Sequence, residues 1–517
     1  MTAGGGAAGL DPDIEAWLRA GAGEPTPCER VIETSISWIF LFPERALKLK
    51  KPVDLGFLDF TSADKRGWAS RRELAFNRSA APDIYRAVHA ITRAADGRLA
   101  FDGAGTVVEW AVDMRRFDED AVLVNRLAAV DGAFADSLGR GIARFHALAA
   151  PGIAGGGAAG LRFVLNSNAH LLRGEAADLG SEAVERLLAV TEAAFAAAAT
   201  LLDRRQAQGF VRCCHGDLHL GNILLEAGSP ILFDCIEFND RLREIDVLYD
   251  IAFLLMDLAF RGVPEAANRV LNGWLDEAAR VSGPAVWDGL AALPLFQAVR
   301  ATVRAHVNAL EGRSEVSRRY MAAAEGALAP SPARLIAIGG LSGSGKSTLA
   351  RSVAPRVAAA PGAVILRSDE IRKRLAGRSP TERLPEEAYS PQASVAVYGE
   401  MFAVARRCLA AGRAVVADAV FLRAEERRGI EDVAREAGAP FHGLWLEAPV
   451  ETLLDRIAGR RHDASDADAR VLALQSRQEP GPMDWLRRSD ANTPDGIGDL
   501  ERPLGLSPRS GANQSGG

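Results

Sequence analysis

Alternating apolar and polar residues mark the beginning of the chain. The run from 31 to 53, VIETSISWIFLFPERALKLKKPV, has two β-prone parts divided by a Pro-Glu pair, which predicts a hairpin. Thr61 or Ser62 can cap the helix that follows, and further alternating runs come after it. Residues 28–115 are therefore predicted to form a sheet with one long helix. The Gly-, Ala- and Pro-rich residues 1–27 are predicted to be a flexible lead-in.

Beyond this sheet the spacing of apolar residues becomes helical, interrupted by short strands and turns at 211–240. Residues 116–329 are predicted to form a helical lobe that contains this interruption. From 330 to 505, strand-length apolar runs alternate with helical stretches, the pattern of a parallel α/β sheet. The tail, 506–517, has the composition of a disordered segment. The predicted fold class is multidomain, an α+β part followed by an α/β part.

Composition narrows the setting of this chain of 517 residues. Acidic residues outnumber basic ones by 67 to 61, and the net charge of −6 gives no general attraction for nucleic acid or anionic lipid. Five Cys without a CxxC pair point to the cytoplasm. The first residues lack the features of a signal peptide, and the longest apolar run is about half a membrane span. A cytoplasmic protein without membrane contact is expected, and its oligomeric state stays open.

The string CHGDLHLGNILLEAGSPILFDCIEF contains the residue types that phosphoryl transfer from ATP requires. This chemistry needs a base for the acceptor, oxygen ligands for Mg²⁺ and a cation on the phosphates, because it depends on positioning and charge stabilisation. Asp217 is placed to take the proton of an acceptor hydroxyl. Asn222 and Asp234 can bind Mg²⁺ through side-chain oxygens. His215 and His219 are predicted to brace the loop.

This string resembles the catalytic loop of the aminoglycoside phosphotransferase and choline kinase group, relatives of the protein kinases. The loop of that family reads HGDxxxxN, with a metal-binding Asp on the next hairpin. The resemblance implies a bilobal protein-kinase-like fold before residue 330, although no GxGxxG loop occurs between the first strands. It also implies that VVEWAVDM, at 107–114, joins the lobes and binds adenine through its backbone. Asp246 and Asp250 are expected to cap a helix and brace the loop.

In this family a Lys on the third strand binds the phosphates and pairs with a Glu on the following helix. Lys is rare here, at six of the 61 basic positions, and three of the six are in ALKLKK. Lys48 is the best match to the family's lysine. Lys50 faces the same side of the strand and stays a second candidate. Glu73 is the expected partner, and Lys51 is expected to be a solvated strand end.

A second phosphate-binding motif lies in RLIAIGGLSGSGKSTLA, an apolar strand followed by GxxxxGKS and a helical run. The glycines let backbone N–H groups curl around phosphate oxygens at a helix N-terminus. Lys346 is expected to bridge the outer phosphates during catalysis, and Ser347 to bind Mg²⁺. The nucleotide-binding residues expected in this loop are Gly340, Ser342, Gly343, Ser344, Gly345, Lys346, Ser347 and Thr348.

Later segments supply the other parts of a small-molecule kinase site. Asp369 ends a second strand and is expected to deprotonate the acceptor, with Arg372 one helical turn on to hold it. Asp418 ends a third strand and is expected to bind Mg²⁺ like a Walker B carboxylate. Arg456 and Arg460 belong to a basic run that can close on the phosphates as a lid. A solvated helix end is the alternative interpretation of this run.

This second part resembles P-loop kinases related to gluconate and adenylylsulfate kinases, which are often grouped with AAA-family ATPases. A ring-forming AAA+ motor is disfavoured, because an Asp-Glu Walker B pair and an appended helical lid domain are missing from the sequence. The order of the two parts resembles a family of bacterial fusion proteins. The resemblance implies an ATP-dependent phosphotransferase with two ATP·Mg²⁺ sites, which acts on a hydroxyl group of a small molecule.

Two other functions stay open at this point. The P-loop part could hydrolyse ATP slowly and act as a nucleotide-controlled switch on the kinase-like part. It could also phosphorylate nucleotides or polynucleotides, which the acidic balance and the lack of an aromatic and basic stripe disfavour. The residues do not identify the acceptor, because kinases for choline, homoserine, sugars and aminoglycosides share the first loop.

Overall fold

The computed structural model describes residues 9–56, 58–459, 464–489, 498–504 and 506. The chain divides into two compact units. The first unit comprises Met1–Ala129, Ala150–Leu161 and Gly209–Asp250, and the second comprises Val130–Ala149, Arg162–Gln208 and Ile251–Gly517. Within the described ranges, no helix combines the length and the apolar character needed to cross a membrane.

Helices and strands in the described residues are numbered in chain order. The helices are α1 (Pro12–Arg19), α2 (Ala63–Asn77), α3 (Gly132–Leu148), α4 (Gly157–Gly174), α5 (Ala176–Leu179), α6 (Ser181–Ala207), α7 (Asp240–Arg243), α8 (Val247–Phe260), α9 (Pro264–Ser282), α10 (Leu293–Leu310), α11 (Ser314–Leu328), α12 (Lys346–Val353), α13 (Ser368–Leu375), α14 (Pro391–Ala410), α15 (Ala424–Glu436), α16 (Val450–Ala458), α17 (Ala469–Ser476) and α18 (Glu501–Leu504). The strands are β1 (Arg30–Glu33), β2 (Ser37–Leu41), β3 (Arg45–Lys50), β4 (Tyr85–Arg93), β5 (Leu99–Phe101), β6 (Thr106–Arg115), β7 (Val211–Cys213), β8 (Ile223–Glu226), β9 (Ser229–Leu232), β10 (Glu244–Asp246), β11 (Leu335–Gly340), β12 (Val364–Arg367), β13 (Val415–Asp418), β14 (Phe441–Leu446) and β15 (Leu486–Arg488).

The first unit is built on an antiparallel sheet with the strand order β1-β2-β3-β6-β4-β5. β2 pairs with β3 as the predicted hairpin, with Ile39 opposite Lys48. The first β-prone part of this run is itself divided into β1 and β2, because Thr34 and Ser37 close a turn inside it. The hairpin places the lysines of β3 in the middle of the sheet, between β2 and β6.

Two helices pack on this sheet. α1 buries Ile14 and Leu18 in an apolar cluster with residues of the strands. α2 begins after Ser62, whose hydroxyl accepts a hydrogen bond from the backbone N–H of Lys65 at 3.3 Å. The buried residues of α2 recur every three or four positions and include Glu73. The helix therefore presents a carboxylate to the inside of the unit.

Two short pairs of antiparallel strands in the same unit hold the predicted catalytic loop. β7 pairs with β10, and β8 pairs with β9. Asp217 and Asn222 lie in the connection between β7 and β8, and Asp234 follows just after β9. The three predicted acceptor-side and metal-binding residues are thus placed by neighbouring strands.

The second unit contains helices and the P-loop sheet. α3 and α9 approach closely, because each contributes a glycine to their contact. A Cβ atom at Gly139 would overlap the carbonyl oxygen of Val270, and one at Gly273 would lie 2.6 Å from the carbonyl oxygen of Asp136. α6, α10 and α11 contribute to a separate apolar core of this unit.

The P-loop sheet is parallel, with the strand order β12-β13-β11-β14-β15. The central strand β11 is buried along its whole length. An apolar cluster on this sheet includes Ile336, Leu349 and Val416, which come from β11, α12 and β13. The predicted fold class, an α+β kinase-like part followed by a parallel α/β part, is confirmed.

Side chains of α9 cover the edge strand β12. The backbone N–H of Ile365 donates to Asn272 Oδ1 at 2.7 Å. Asn268 Nδ2 donates to the carbonyl oxygens of Pro361 and Ala363 at 2.7 and 2.9 Å. Asn268 and Asn272 form the asparagine clamp. An uncovered edge strand offers open N–H and C=O groups to other chains. The clamp occupies the N–H of Ile365 within β12 and two carbonyl groups just before this strand.

Candidate active sites

Lys48 joins two carboxylates in the first unit. Its Nζ donates to Glu73 Oε1 at 2.8 Å and to Asp234 Oδ1 at 2.6 Å. Burial by itself lowers the pKa of Lys48, but the charges of Asp234 and Glu73 outweigh it and hold this pKa well above its ordinary value. Lys48 is therefore a fixed positive charge next to a predicted metal ligand.

Lys50 shares Glu73 with Lys48. Its Nζ donates to Glu73 Oε2 at 2.8 Å and also contacts the carboxylate of Glu237. Burial acts to raise the pKa of Glu73, yet the two lysines bring it from 4.5 down to about 2. The structure thus places both candidate lysines on one carboxylate, and Lys48 also donates to Asp234. Sequence reasoning gave no role to Glu237, although it lies in the same string, three residues after Asp234.

The predicted catalytic loop is held by its own side chains. Asn222 Nδ2 donates to the backbone oxygen of Asp217 at 2.9 Å and to its Oδ2 at 3.0 Å. His219 Nε2 lies 3.4 Å from the same carboxylate oxygen. The side chain of Asp217 is 38% exposed. A carboxylate fixed in this way can still reach an acceptor hydroxyl.

His215 and Asp250 hold this loop through hydrogen bonds to backbone groups. The His215 ring places Nε2 2.8 Å from the backbone oxygen of Phe233, and its Nδ1 accepts from the backbone N–H of Asp217 at 3.3 Å. Asp250 accepts from the N–H groups of His215 and Gly216 at 3.2 and 2.8 Å. Burial lowers the pKa of His215. A neutral, buried ring suits a bracing role.

Asp234 is fixed through its backbone. Its φ of 62° lies in the left-handed region, which is uncommon for residues other than glycine and is concentrated at functional sites. Its N–H donates to the Tyr85 hydroxyl at 3.2 Å, and the N–H of Cys235 donates to Asn77 Oδ1 at 2.8 Å. Carboxylate oxygens of Asp234 and the amide oxygen of Asn222 are ligands that Mg²⁺ accepts. The donor set therefore fits this metal.

The P-loop joins β11 to α12 in the second unit. Gly343 and Gly345 have φ angles of 87° and 94°, which only glycine adopts without strain, so the chain can curl at the start of α12. Lys346 Nζ donates to the backbone oxygen of Leu341 at 2.9 Å. The loop borders a cleft of about 1090 Å³. Predicted residues that line this cleft are Ser342, Gly343, Gly345, Lys346, Ser347, Thr348, Asp369, Arg372, Asp418 and Arg456.

Ser347 and Asp418, the predicted metal ligands, lie together in this cleft. Ser347 Oγ donates to Asp418 Oδ2 at 2.6 Å. A hydroxyl and a carboxylate at the end of a P-loop fit Mg²⁺. Arg367 contacts both residues and was not found by sequence reasoning. Arg367 and Asp418 end the neighbouring strands β12 and β13 and are directly opposite, so aligning the strand ends could have revealed the pair.

Asp369 and Arg372, the residues predicted to contact the acceptor, line the same cleft. Burial is the largest influence on Asp369 and raises the pKa of its carboxyl group. Arg372 donates to the backbone oxygen of Ala388 at 2.6 Å and lies 4.9 Å from the ring centre of Tyr389. Tyr389 donates its hydroxyl hydrogen to Asp466 at 2.7 Å, so it belongs to the same wall.

Three other predicted residues belong to the P-loop region of the chain. Arg456 Nη1 lies 3.4 and 3.5 Å from the carbonyl oxygens of Gly343 and Ser344, against the P-loop. Gly340 ends the central strand β11. Arg460 lies outside the described residues. The structure thus brings the described members of each predicted set together within their own unit.

Comparison with known proteins places the chain in a class. The model of the Phosphotransferase enzyme family matches residues 71–293, and that of the AAA domain matches residues 335–480. The fold and sites therefore define a chain with a phosphotransferase domain followed by a P-loop kinase-like domain, as the resemblance predicted. An uncharacterized protein of Mycobacterium tuberculosis is 30% identical over 497 residues, which are 92% of this chain and 94% of that protein. The chain belongs to the family of this mycobacterial protein.

Two further relatives match parts of the chain. An adenylyl-sulfate kinase of Myxococcus xanthus is 35% identical over 118 residues, which are 23% of this chain and 59% of that enzyme. A solved structure of glucosamine kinase is 17% identical and covers 60% of this chain and 78% of that one, with a TM-score of 0.35.

Proposed function

We propose that this chain transfers the γ-phosphoryl group of ATP to a hydroxyl group of a small molecule, with one ATP·Mg²⁺ site in each unit. The observation that carries the proposal is the Lys48 ammonium, which lies within hydrogen-bond distance of both Glu73 and Asp234. A held cation next to a metal-binding carboxylate is the arrangement that positions ATP phosphates. The phosphotransferase family match supports the reaction class.

In the first unit, Asp217 orients the acceptor hydroxyl and takes its proton as the oxygen attacks the γ-phosphorus. The new O–P bond forms while the bond from the γ-phosphorus to the bridging oxygen breaks, and ADP leaves. Lys48 donates to the phosphates and is held in place by Glu73. Asn222 and Asp234 would hold Mg²⁺, which neutralises phosphate charge when it is bound.

In the second unit, Lys346 and the backbone of the P-loop bind the outer phosphates. Asp369 takes the proton of the acceptor hydroxyl. Its raised pKa suits a base, because a carboxylate of higher pKa binds a proton more readily. Arg372 holds the acceptor, and Ser347 and Asp418 would hold Mg²⁺.

The setting of these reactions is also part of the proposal. The five cysteines are free thiols, which supports a cytoplasmic location. The net charge of −6 supports a small-molecule acceptor over a nucleic acid.

Transfer of label from γ-labelled ATP into a fractionated cell extract tests the proposal. The wild-type chain should label a small-molecule fraction. Asp217→Asn should reduce the labelling by the first unit about a hundredfold or more through loss of the base, and Lys346→Ala should abolish labelling by the second. Asp96→Asn, in an exposed turn where Asp96 pairs with Arg98, is the matched control and should label like wild type.

Two results would contradict the proposal. Label found only as free phosphate would favour a nucleotide-controlled switch. Wild-type labelling by the double variant, Asp217→Asn with Lys346→Ala, would show that neither assigned site carries the transfer.

A further inference from the structure

Arg367 donates hydrogen bonds to both side chains that would bind Mg²⁺ in the second unit. Its Nη2 donates to Ser347 Oγ at 3.1 Å, and its Nε donates to Asp418 Oδ2 at 3.3 Å. The side chains of Arg367 and Asp418 are only 5% and 4% exposed, so water and salt screen their attraction little. A fixed positive charge is thus built into the metal-binding donor set itself.

A guanidinium group has N–H donors and no lone pair for a metal, so it cannot join a metal's ligands. Two positive charges a few ångströms apart in a buried site repel strongly. On the basis of the function proposed for this cleft, we propose that Arg367 competes with Mg²⁺ for Ser347 and Asp418. Binding of Mg²⁺ with its nucleotide would require the guanidinium to leave these two side chains while it keeps its contact with Glu370. Arg367 is a positioning residue in this role, and it sets the Mg²⁺ concentration at which the P-loop site fills.

Glu370 is already in place to receive the displaced charge. Its Oε1 accepts from Arg367 Nη1 at 3.0 Å. Arg140 of α3 lies 3.5 Å from the same oxygen and also donates to Asp276 of α9 at 2.6 Å. Arg367 therefore already contacts a second carboxylate, which is held in turn by Arg140 of α3 and its partner Asp276 of α9. A guanidinium that leaves Ser347 and Asp418 would keep this anionic partner.

The Mg²⁺ dependence of nucleotide binding tests this competition. The full-length chain carries Asp234→Asn, so that the first unit loses a metal ligand. Binding of an ATP analogue with a non-hydrolysable β–γ bridge is measured by calorimetry at increasing Mg²⁺. Arg367→Met should lower the Mg²⁺ concentration for half-maximal binding by about tenfold or more. Glu370→Gln should raise it by about fivefold or more, because the displaced guanidinium loses its acceptor charge.

Two further variants control for charge and folding. Arg367→Lys keeps a positive charge and should stay within the range between wild type and Arg367→Met. Arg378→Met removes an exposed arginine, paired with Glu382 just after α13, and should leave the Mg²⁺ requirement unchanged. Circular dichroism checks the fold of each variant, and if Arg367→Met does not fold, the opposite shift expected for Glu370→Gln decides.

An unchanged or raised Mg²⁺ requirement in folded Arg367→Met would overturn the competition, because it would show that Arg367 only orients Asp418. An unchanged or lowered requirement in Glu370→Gln would overturn the displacement onto Glu370. Lys346→Ala separates this inference from the proposed function. If analogue binding does not depend on Lys346, the nucleotide site itself is refuted. If it depends on Lys346 but the Mg²⁺ requirement ignores Arg367, the competition alone is refuted.

Discussion

Replacing Glu73 by Gln tests how much the buried ion cluster of the first unit contributes to stability. Glu73 accepts hydrogen bonds from Lys48 and Lys50, and its side chain is fully buried. The substitution keeps the shape of the side chain and removes its charge. Each ammonium group then keeps one carboxylate, Asp234 for Lys48 and Glu237 for Lys50.

The size of the effect follows from the pKa of Glu73. Burial acts to raise this pKa, but the two lysines bring it from 4.5 to about 2. A pKa lowered by this amount corresponds to about 3 kcal/mol of stability at neutral pH. Breaking one partner of a buried ion pair costs about 3 to 5 kcal/mol, which agrees. We therefore expect the free energy of unfolding of Glu73→Gln to fall by about 3 kcal/mol.

Urea unfolding of the full-length chain at pH 7, followed by tryptophan fluorescence, measures this loss. Glu185→Gln is the matched control. Glu185 of α6 pairs with Arg173, and both side chains are 56% exposed. Its substitution should therefore leave the unfolding midpoint unchanged. If Glu73→Gln lowers the free energy of unfolding no more than Glu185→Gln does, burial does not strengthen the cluster and the prediction is wrong.

Two further predictions concern the free energy of unfolding, one at acid pH and one for a variant of the asparagine clamp. Because the folded-state pKa of Glu73 is lowered, its contribution to stability is complete above pH 4.5 and is lost as the pH falls towards 2. The difference in unfolding free energy between wild type and Glu73→Gln should shrink over this interval, and a constant difference would contradict the assignment. Asn272→Ala removes the acceptor of the Ile365 N–H and should lower the free energy of unfolding by about 1 to 3 kcal/mol. Asn166→Ala, at an exposed position of α4, is its control, and equal urea midpoints for the two variants would argue against the clamp.

The sequence predicts best those parts of each site whose residues are close together along the chain. Asp217 and Asn222 are five residues apart, and their spacing alone places them in one loop. Lys48 and Lys50 could not be separated, because a period of two puts both on one face of β3. Only the fold shows that Lys48 meets Asp234 while Lys50 meets Glu237.

Contacts between residues far apart in the sequence could not be predicted. Arg367 directly precedes α13, and nothing local to it indicates contact with Asp418, 51 residues later. The contact arises from the parallel pairing of β12 and β13, which is a property of the whole sheet. Ile14 and Leu18 are the apolar residues of a short amphipathic segment in a Gly- and Ala-rich stretch. Their burial depends on a sheet surface that later strands supply.

The asparagine clamp determines which fragments of this chain keep the edge of β12 covered. A fragment that starts at residue 330 contains every P-loop motif residue but lacks α9, so it exposes the edge of β12 to other copies of itself. Such a fragment is expected to aggregate, whereas one that begins ahead of α9 keeps this edge covered. The motif boundary and the folding boundary therefore differ by the length of several helices.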